Sequence, residues 1–373
     1  MERQKNIENV GANTSPSLKI FTRPEIIPIG KKPVFMLWPL LGIKEEQTDG
    51  PDFGRFEKLL AEGKNIFALT TKEESDVFVL PFEYDPNPRF TQIMRDFAEE
   101  ASNYKKPLIV FYNSDFSDVI DLPNAIVFRT SCLRSKKQAN EFGYPGWSVD
   151  FQEKFGNGKF KALPKKSKAE ISYCGYVDYL DFAGKLKYAI KRRRRKIPEM
   201  YRRGPELRGK AVRRLQANSQ IEKSIIIREG FWAAGESDKN KARKIYAENL
   251  LNSPYALIVR GAGNFSYRLY EVLSCGRIPV FINTDCLLPF DDFIDWKKHV
   301  LWIEENEINR IDEKLVAFHN TISPEEFSAW QERNRKLYEE WISPLAFFKN
   351  IHRYFSNSNL PKSESSNLEF LNL

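Results

Sequence analysis

Cysteine, histidine and long apolar runs are all scarce in this chain of 373 residues. Its four cysteines are far apart, form no Cys-x-x-Cys pair and are accompanied by only three histidines. This excludes a zinc or disulfide framework, and we expect each cysteine to be a small core residue in a reducing compartment. The sequence has no run of about 18 apolar residues and its amino-terminal segment has no apolar core, which predicts a soluble intracellular protein.

The composition is that of a folded protein with a basic surface. Hydrophobic residues make up 42% of the chain and aromatic residues 13%, which excludes a disordered protein, and the length suits two domains. The formal net charge of +8 and the isoelectric point near 9.1 indicate an anionic partner. Nucleotide sugars, nucleic acids and acidic membranes all meet that description, so charge alone does not select among them.

The most basic segment is the run from Lys191 to Lys196. Such a run binds phosphates without sequence specificity, with an affinity that falls steeply as salt is added. No interleaved aromatic residues and no recognised nucleic-acid module accompany it, so we expect no specific nucleic-acid partner. It is a solvated charge run, a nonspecific nucleic-acid contact or a peripheral contact with the inner face of a membrane. A salt titration of binding to DNA and to anionic vesicles separates these interpretations.

Apolar runs alternate with amphipathic segments along the chain, which predicts two doubly wound α/β domains. The first spans residues 21–160, after a flexible amino terminus at 1–20, and the second spans 169–340. Within the first domain, the run from Pro33 to Leu40 predicts a buried strand, Asp52 a helix cap, and Arg129 a surface charge at a strand end. Residues 357–373 are polar, and we expect a loose tail there.

The most informative stretch runs from Tyr255 to Trp296. An apolar run at Ala256 to Val259 is followed by Gly261 and Gly263, then by helical spacing, and then by a second apolar run at Ile278 to Ile282. Strand, glycine loop, helix and strand in about 30 residues is typical of a βαβ unit, whose ligands bind beyond the carboxyl ends of the strands. We therefore expect a binding site at this loop.

Polar side chains at the start of the predicted helix suit a phosphorylated ligand. Asn264 or Ser266 is placed to cap the first turn, where free backbone N–H groups favour an anion, and Arg268 adds a positive charge. Glu271 lies on the same face and suits hydroxyl groups, because a phosphate repels a carboxylate. The competing interpretation is an ordinary surface ion pair between Arg268 and Glu271.

The motif residues follow one another in a characteristic order. They are Ser266, Arg268, Glu271, Gly276, Ile278 to Val280, Leu288 to Phe290 and Trp296. This series, Ser-x-Arg-x-x-Glu, glycine, Ile-Pro-Val, Leu-Pro-Phe and tryptophan, resembles the exostosin family of glycosyltransferases. Arg-x-x-Glu alone is a weak signal, whereas the complete series in order is specific.

The resemblance implies a GT-B fold, in which two Rossmann-like domains face each other across a cleft. It also implies that a carboxy-terminal helix, here at residues 341–356, crosses back to the first domain. The implied reaction is transfer of a sugar from a nucleotide sugar with inversion, with UDP as the expected nucleotide. No cofactor or metal is expected, and the acidic segment at Asp285 and Asp291 to Asp295 fits a structural loop of the family.

The resemblance also implies which residues surround the donor. They are Arg268, Glu271, Ser266, Asn264, Gly263, Arg208 and Lys210. Arg268 is expected to meet the donor diphosphate and Glu271 the nucleotide ribose. A second basic contact is expected from a helix that starts at Pro205 and carries Arg208 and Lys210.

The first domain is expected to supply the acceptor side. Inverting transfer needs a base for the acceptor hydroxyl, and Glu83 and Asp115, each following a predicted strand, are the candidates. The bland alternative for each is a solvated loop acid. The expected acceptor is a glycan or glycolipid, as in synthesis of a surface polysaccharide, and the expected location is the cytoplasm. Two other functions stay open: a basic protein that binds nucleic acid or membranes, and a GT-B scaffold that binds a nucleotide sugar without transferring it.

Overall fold

The computed structural model describes residues 18–46, 50, 52–157, 159–177, 200–230 and 238–356. Within these ranges the chain forms two domains, each built on one parallel sheet with helices against it. This confirms the expected α/β architecture of two doubly wound domains, which is the GT-B arrangement. Ligands of such sheets bind beyond the carboxyl ends of the strands, which makes this edge the expected place for a site.

The first sheet has six parallel strands in the order β2-β1-β3-β4-β5-β6. They are β1 (Leu18–Phe21), β2 (Phe67–Leu69), β3 (Val77–Val79), β4 (Leu108–Tyr112), β5 (Ala125–Arg129) and β6 (Glu141–Gly143). Every residue of β3, β4, β5 and β6 is buried. Continuous apolar strands are typical of parallel sheets, because helices cover both faces.

The helices of the first domain are α1 (Trp38–Leu41), α2 (Glu57–Glu62), α3 (Pro88–Asn103) and α4 (Phe151–Phe155). Short 3-10 turns lie at Pro24–Ile26, Phe35–Leu37, Gly63–Asn65 and Arg134–Lys136. The start of α3 is encoded locally, because the Asn87 side chain accepts a hydrogen bond from the backbone N–H of Arg89 and Pro88 needs no helical partner. Phe90, Met94 and Phe97 bury one face of that helix against the sheet.

The second sheet has five parallel strands in the order β11-β10-β9-β7-β8. They are β7 (Ala169–Tyr176), β8 (Ile221–Arg228), β9 (Tyr255–Ile258), β10 (Ile278–Asn283) and β11 (Leu301–Glu304). The chain moves outward from β7 to β8 and then returns to the other side of β7 with β9. The strand order therefore reverses between β7 and β9, which creates a crevice at their carboxyl ends.

The helices of the second domain are α5 (Met200–Ala217), α6 (Lys239–Leu251), α7 (Tyr267–Ser274), α8 (Ile311–Thr321) and α9 (Pro324–Leu337). Trp296–Lys298 and Glu305–Arg310 are 3-10 turns, and Tyr338–Ile342 is a π-helical turn. The predicted start of α9 is confirmed, since the Ser323 side chain accepts from the backbone N–H of Glu326. Pro205 lies inside α5 rather than at its start, which costs that helix one backbone hydrogen bond.

Two helices follow at the carboxyl end, α10 (Pro344–Asn350) and α11 (Arg353–Ser356). The rings of Phe347 and Phe348 lie 5.5 and 5.6 Å from that of Trp147 in the first domain. Tyr354 packs on Phe142 at 4.3 Å, and its hydroxyl accepts from the backbone N–H of Phe290. The side chains of these last helices therefore help to join the two domains in one apolar core.

Two sequence-based expectations about the first domain are wrong. Leu18–Phe21 is a strand inside the sheet, although residues 1–20 were expected to form a flexible terminus. The apolar run at Pro33 to Leu40 is not a strand, because Phe35–Leu37 and Trp38–Leu41 are helical. Pro39 occupies the first turn of α1, where its missing N–H costs nothing, and a short apolar run does not by itself distinguish a strand from a helix.

All four cysteines are buried and none of them forms a disulfide bond, as predicted from their spacing. Burial raises the pKa of the Cys275 thiol to about 12, which makes it an inert core residue. Among the helices of the described ranges, none combines the length and the apolar composition that crossing a bilayer requires.

Candidate functional site

The loop between β9 and α7 lies at the point where the strand order of the second sheet reverses. Arg268, the second residue of α7, extends back to the end of β7, where its Nη2 donates to the carbonyl of Cys174 at 2.5 Å. Its Nε donates to the Tyr246 hydroxyl at 3.2 Å, and its guanidinium lies 4.5 Å from the Tyr173 ring. The hydrogen bonds recorded between described residues use two of the five N–H donors of Arg268, which leaves donors for a phosphate.

Arg208 of α5 provides the second basic group at this point. It is 8% exposed, and its Nη2 donates to the carbonyl of Arg260, just beyond β9, at 2.7 Å. The pKa of Arg208 is lowered, and burial is the largest cause. Tyr173 acts in the opposite direction, and the positive charge of Arg268 lowers the pKa further. Two guanidinium groups thus meet at the carboxyl ends of β7 and β9. Lys210 is exposed, so of the two basic candidates on this helix it is Arg208 that faces inward.

Glu271 of α7 is 4% exposed and accepts hydrogen bonds from both domains. Its Oε1 accepts from the Ser148 hydroxyl at 2.7 Å and from Arg243 at 3.4 Å, and its Oε2 accepts from the Tyr246 hydroxyl. The interpretation of Arg268 and Glu271 as a surface ion pair is therefore wrong. The two side chains are linked through the hydroxyl of Tyr246, and the ion pair recorded for Glu271 is with Arg243.

Asp115 of the first domain reaches the glycine loop of the second. Its Oδ1 accepts a hydrogen bond from the backbone N–H of Gly263 at 2.9 Å. A Cβ on Gly263 would lie 2.7 Å from that oxygen and 2.9 Å from the Asp115 Cα, so no larger residue fits at this approach. The sequence assigned Asp115 and Gly263 to opposite sides of the site, and the structure brings them into direct contact.

Asn264 connects the domains and does not cap α7. Its side-chain nitrogen donates to the carbonyls of Cys132 and Asp285, at 3.0 and 2.9 Å, and its side-chain oxygen accepts from Thr284. Ser266 occupies the N-cap position, but its side chain makes no capping hydrogen bond. The expectation that one of these two side chains caps the helix is therefore wrong, because a tertiary contact takes up the amide of Asn264.

Glu83 follows β3 and lies close to the first residue of α7. Burial raises the pKa of Glu83 to about 7, against an opposing effect of the positive charge on Lys31. The Tyr267 hydroxyl lies within hydrogen-bonding reach of Asn113, and its pKa is raised first by burial, with Glu83 and Asp115 among the neighbouring charges that raise it further. The charges of both candidate bases therefore act on Tyr267, the tyrosine that directly precedes Arg268.

The raised pKa of Glu83 predicts a pH-dependent stability. The folded state holds this proton up to pH about 7, whereas the unfolded chain releases it near 4.5, so the free energy of unfolding falls as pH rises through that window. Glu83→Gln should remove this dependence and stabilise the protein at pH 8, but not at pH 4, by about 1–3 kcal/mol. Urea unfolding at both pH values measures the effect. Glu99→Gln, at an exposed position, is the control, and equal gains at the two pH values would contradict the assignment.

The acidic segment after β10 has separate protein partners. Asp285 accepts from the backbone N–H of Ser135 at 3.2 Å, Asp291 pairs with Arg134 at 3.0 Å, and Asp295 pairs with Lys298. Across the described residues there is no cluster of three histidine, cysteine or acidic side chains arranged to hold a metal ion. These carboxylates join the domains and loops, in keeping with the structural role expected from the sequence.

Four residues of the site were missed or misread in the sequence. Asp52 is not a helix cap, because α2 begins at Glu57; instead it accepts from Arg243 and lies 2.8 Å from the Ser148 hydroxyl. Tyr246 lies on the same helix as Arg243, three residues later. The signal available for these two residues was an arginine and a tyrosine three positions apart in the helical segment that precedes β9 and the glycine loop. Ser148 gave none, because its partners are distant in the sequence.

Arg129 was expected at the surface but is 2% exposed. It pairs with Glu141, and its Nη1 also donates to the carbonyl of Asp118 at 3.0 Å. Its Nε donates to the carbonyl of Ser131, whose hydroxyl donates in turn to the carbonyl of Asp115. Arg129 therefore fixes the loop that carries Asp115. The run from Lys191 to Lys196 lies outside the described residues, so the expected membrane contact stays a prediction from the sequence.

Comparison with known proteins gives matches centred on the second domain. The model of the Exostosin GT47 domain matches residues 180–318. Exostosin-1 of Drosophila melanogaster is 28% identical over 110 residues, covering 30% of this chain and 14% of that protein. The exostosin-1 homolog of Caenorhabditis elegans is 31% identical over 100 residues, covering 27% and 25%. A probable glucuronosyltransferase of Oryza sativa subsp. japonica is 35% identical over 72 residues, covering 19% and 17%.

The aligned regions thus span a quarter or less of these curated relatives. The motif series around α7 lies inside the region that the family model matches. The motif residues lie together in the second domain. They include the buried glutamate and an arginine at the strand ends of the parallel sheet. Over residues 180–318, the chain is therefore similar to the Exostosin GT47 domain of glycosyltransferases.

Proposed function

We propose that this protein is an inverting glycosyltransferase that transfers a sugar from a UDP-sugar to a hydroxyl group of a glycan or glycolipid. One observation carries the proposal. Arg268 and Arg208 meet at the carboxyl ends of β7 and β9, and Tyr267, which directly precedes Arg268, is near enough to Glu83 of the first domain for the charge of Glu83 to raise the pKa of Tyr267. A group with the pKa of a general base and a group that binds phosphate thus flank the start of one helix.

In the proposed reaction, the nucleotide diphosphate binds to Arg268 and Arg208, and the ribose hydroxyls bind to Glu271. Glu83 takes the proton of the acceptor hydroxyl as its oxygen forms a bond to the anomeric carbon. The bond between that carbon and the diphosphate oxygen breaks on the opposite face, and UDP leaves with an added negative charge. The two guanidinium groups and the amino end of α7 stabilise this charge, and no metal ion takes part in the proposal.

Glu83 is the proposed base rather than Asp115, because their environments differ. One oxygen of Asp115 is committed to the backbone N–H of Gly263, and the loop that carries it is fixed by Arg129 and Ser131. A carboxylate that holds two loops together in this way is poorly placed to take up a proton during the reaction. Glu83 has a pKa of about 7, so at neutral pH it is partly ionised and accepts a proton readily. Asp115 is proposed to position the loop.

A thermal-shift series with the full chain tests the donor assignment. UDP at 100 times its dissociation constant should stabilise the native state by about 2.7 kcal/mol, because a ligand bound only by the folded protein shifts the unfolding equilibrium. We expect the shift to persist in EDTA and to be much smaller with uridine, which lacks the diphosphate. UDP-sugars that stabilise the protein then enter a transfer assay with glycan acceptors. Equal shifts with UDP and uridine, or loss of the UDP shift in EDTA, would contradict the proposed site.

A further inference from the structure

Arg243 of α6 contacts carboxylates from both domains at once. It pairs with Asp52 of the first domain and, at 3.4 Å, with Glu271 of the second. It also donates to the Ser148 hydroxyl at 2.8 Å, and its guanidinium lies 4.6 Å from the Phe151 ring. The Arg243 side chain is 10% exposed, so these contacts are shielded from water and salt.

The hydrogen bonds of this cluster depend on Arg243. Ser148 lies 2.8 Å from Asp52 and 2.7 Å from Glu271, but its single hydroxyl proton satisfies only one of the two carboxylates. The guanidinium supplies the remaining donors and places a positive charge between the two carboxylates. Without Arg243, Glu271 and Asp52 would compete for the one hydroxyl proton of Ser148, and Glu271 would lose its fixed orientation.

The Arg243 contacts also determine which oxygen of Glu271 can meet a ligand. Oε1 is occupied by Ser148 and Arg243, whereas Oε2 accepts from Tyr246 alone among the described residues. A carboxylate oxygen accepts two hydrogen bonds, so Oε2 retains one acceptor position. The Nε of Arg243 is buried without a hydrogen-bond partner in the described part of the chain.

We propose that Arg243 and Asp52 are positioning residues that hold Glu271 as an acceptor for the ribose hydroxyls of the nucleotide donor. The proposal rests on the proposed function and adds that a residue of the first domain, Asp52, controls donor selectivity in the second. The two domains therefore form one donor site, in which the interface aligns the carboxylate that reads the sugar of the nucleotide.

The test compares UDP with 2′,3′-dideoxyuridine diphosphate, which lacks the ribose hydroxyls, by titration calorimetry on the full chain. The unaltered protein should prefer UDP by about tenfold or more, because the analogue leaves the remaining acceptor position of Glu271 Oε2 unfilled. In Arg243→Ala and in the milder Asp52→Asn, this preference should fall toward onefold, and Arg243→Lys should restore part of it. A purely structural role would weaken both ligands equally and leave the preference unchanged.

Asp312→Asn is the matched control, because Asp312 pairs with Arg214 at 3.1 Å, on α8 and α5, and makes no recorded contact with the first domain within the described residues. It should keep the full preference for UDP. A preference that stays at the unaltered level in both Asp52→Asn and Arg243→Ala overturns this inference and leaves the proposed function intact. Failure of the unaltered protein to bind UDP overturns both.

Discussion

Glu83→Gln is expected to lower turnover by about 10²–10⁴-fold, because glutamine has the same shape but does not accept the proton of the acceptor hydroxyl. UDP affinity should stay within about twofold, since the donor contacts lie in the other domain. In the unaltered protein, kcat/KM should rise with pH through an apparent pKa of about 7, as Glu83 ionises. Initial rates between pH 5.5 and 9, with the donor and acceptor found by screening, measure both effects.

Asp115→Asn is the matched control for that experiment, because it makes the same chemical change in the neighbouring loop. The asparagine oxygen still accepts from the backbone N–H of Gly263, so the loop contact survives and turnover should fall by no more than about tenfold. A collapse of turnover in Asp115→Asn, together with an active Glu83→Gln, would exchange the roles of the two residues. Equal, small losses in both would remove the first domain from proton transfer altogether.

The pH dependences of stability and activity should run in opposite directions. Protonated Glu83 suits the buried site, so the native state is more stable below pH 7, whereas the reaction needs the ionised form above it. Keeping Glu83 as a base therefore places a carboxyl at a position where its ionised form destabilises the fold at the pH of the reaction. This opposition distinguishes a functional carboxyl from one kept for stability, such as Glu141, which pairs with the buried Arg129.

The strand, loop, helix and strand that carry Arg268 and Glu271 were predictable because their signals are local. Apolar runs specify β9 and β10, glycines specify the loop, and Arg268 and Glu271 lie three residues apart on one short helix. The resemblance to the exostosin motif series then suggested roles for residues that are already close together in the sequence. Short apolar runs outside that context were ambiguous: Pro33 to Leu40 became helical, while β1 was overlooked at Leu18–Phe21.

The domain interface was not predictable, because its contacts join residues far apart in the sequence. Asp52 and Arg243 are separated by 191 positions, Ser148 and Glu271 by 123, and Asp115 and Gly263 by 148. A polar residue without a visible partner is correctly expected at the surface or at a helix end, and only the tertiary fold supplies the partner. For this reason Asp52 and Arg129 were both misread, although each is buried and fully engaged.

Arg268→Met is expected to weaken UDP binding by about 10²-fold or more and to leave uridine binding nearly unchanged. The guanidinium offers charge-assisted hydrogen bonds to the diphosphate, each worth about 1.5–3 kcal/mol, and the nucleoside lacks that group. Charge reversal to glutamate is the less useful variant, because it would bury a carboxylate beside the carbonyl of Cys174 and near Glu271. Methionine keeps most of the packing volume against Tyr173.

Two further variants separate the charge of Arg268 from its position. Arg268→Lys keeps the charge but loses the planar fork, so it should recover only part of the UDP affinity. Tyr246→Phe keeps the guanidinium but removes the hydroxyl that links it to Glu271, which should weaken UDP by about tenfold or less. Titration calorimetry with UDP, UMP and uridine gives the effect at each phosphate. If Arg268→Met weakens all three ligands by the same factor, the residue supports the fold of the site and does not bind the diphosphate.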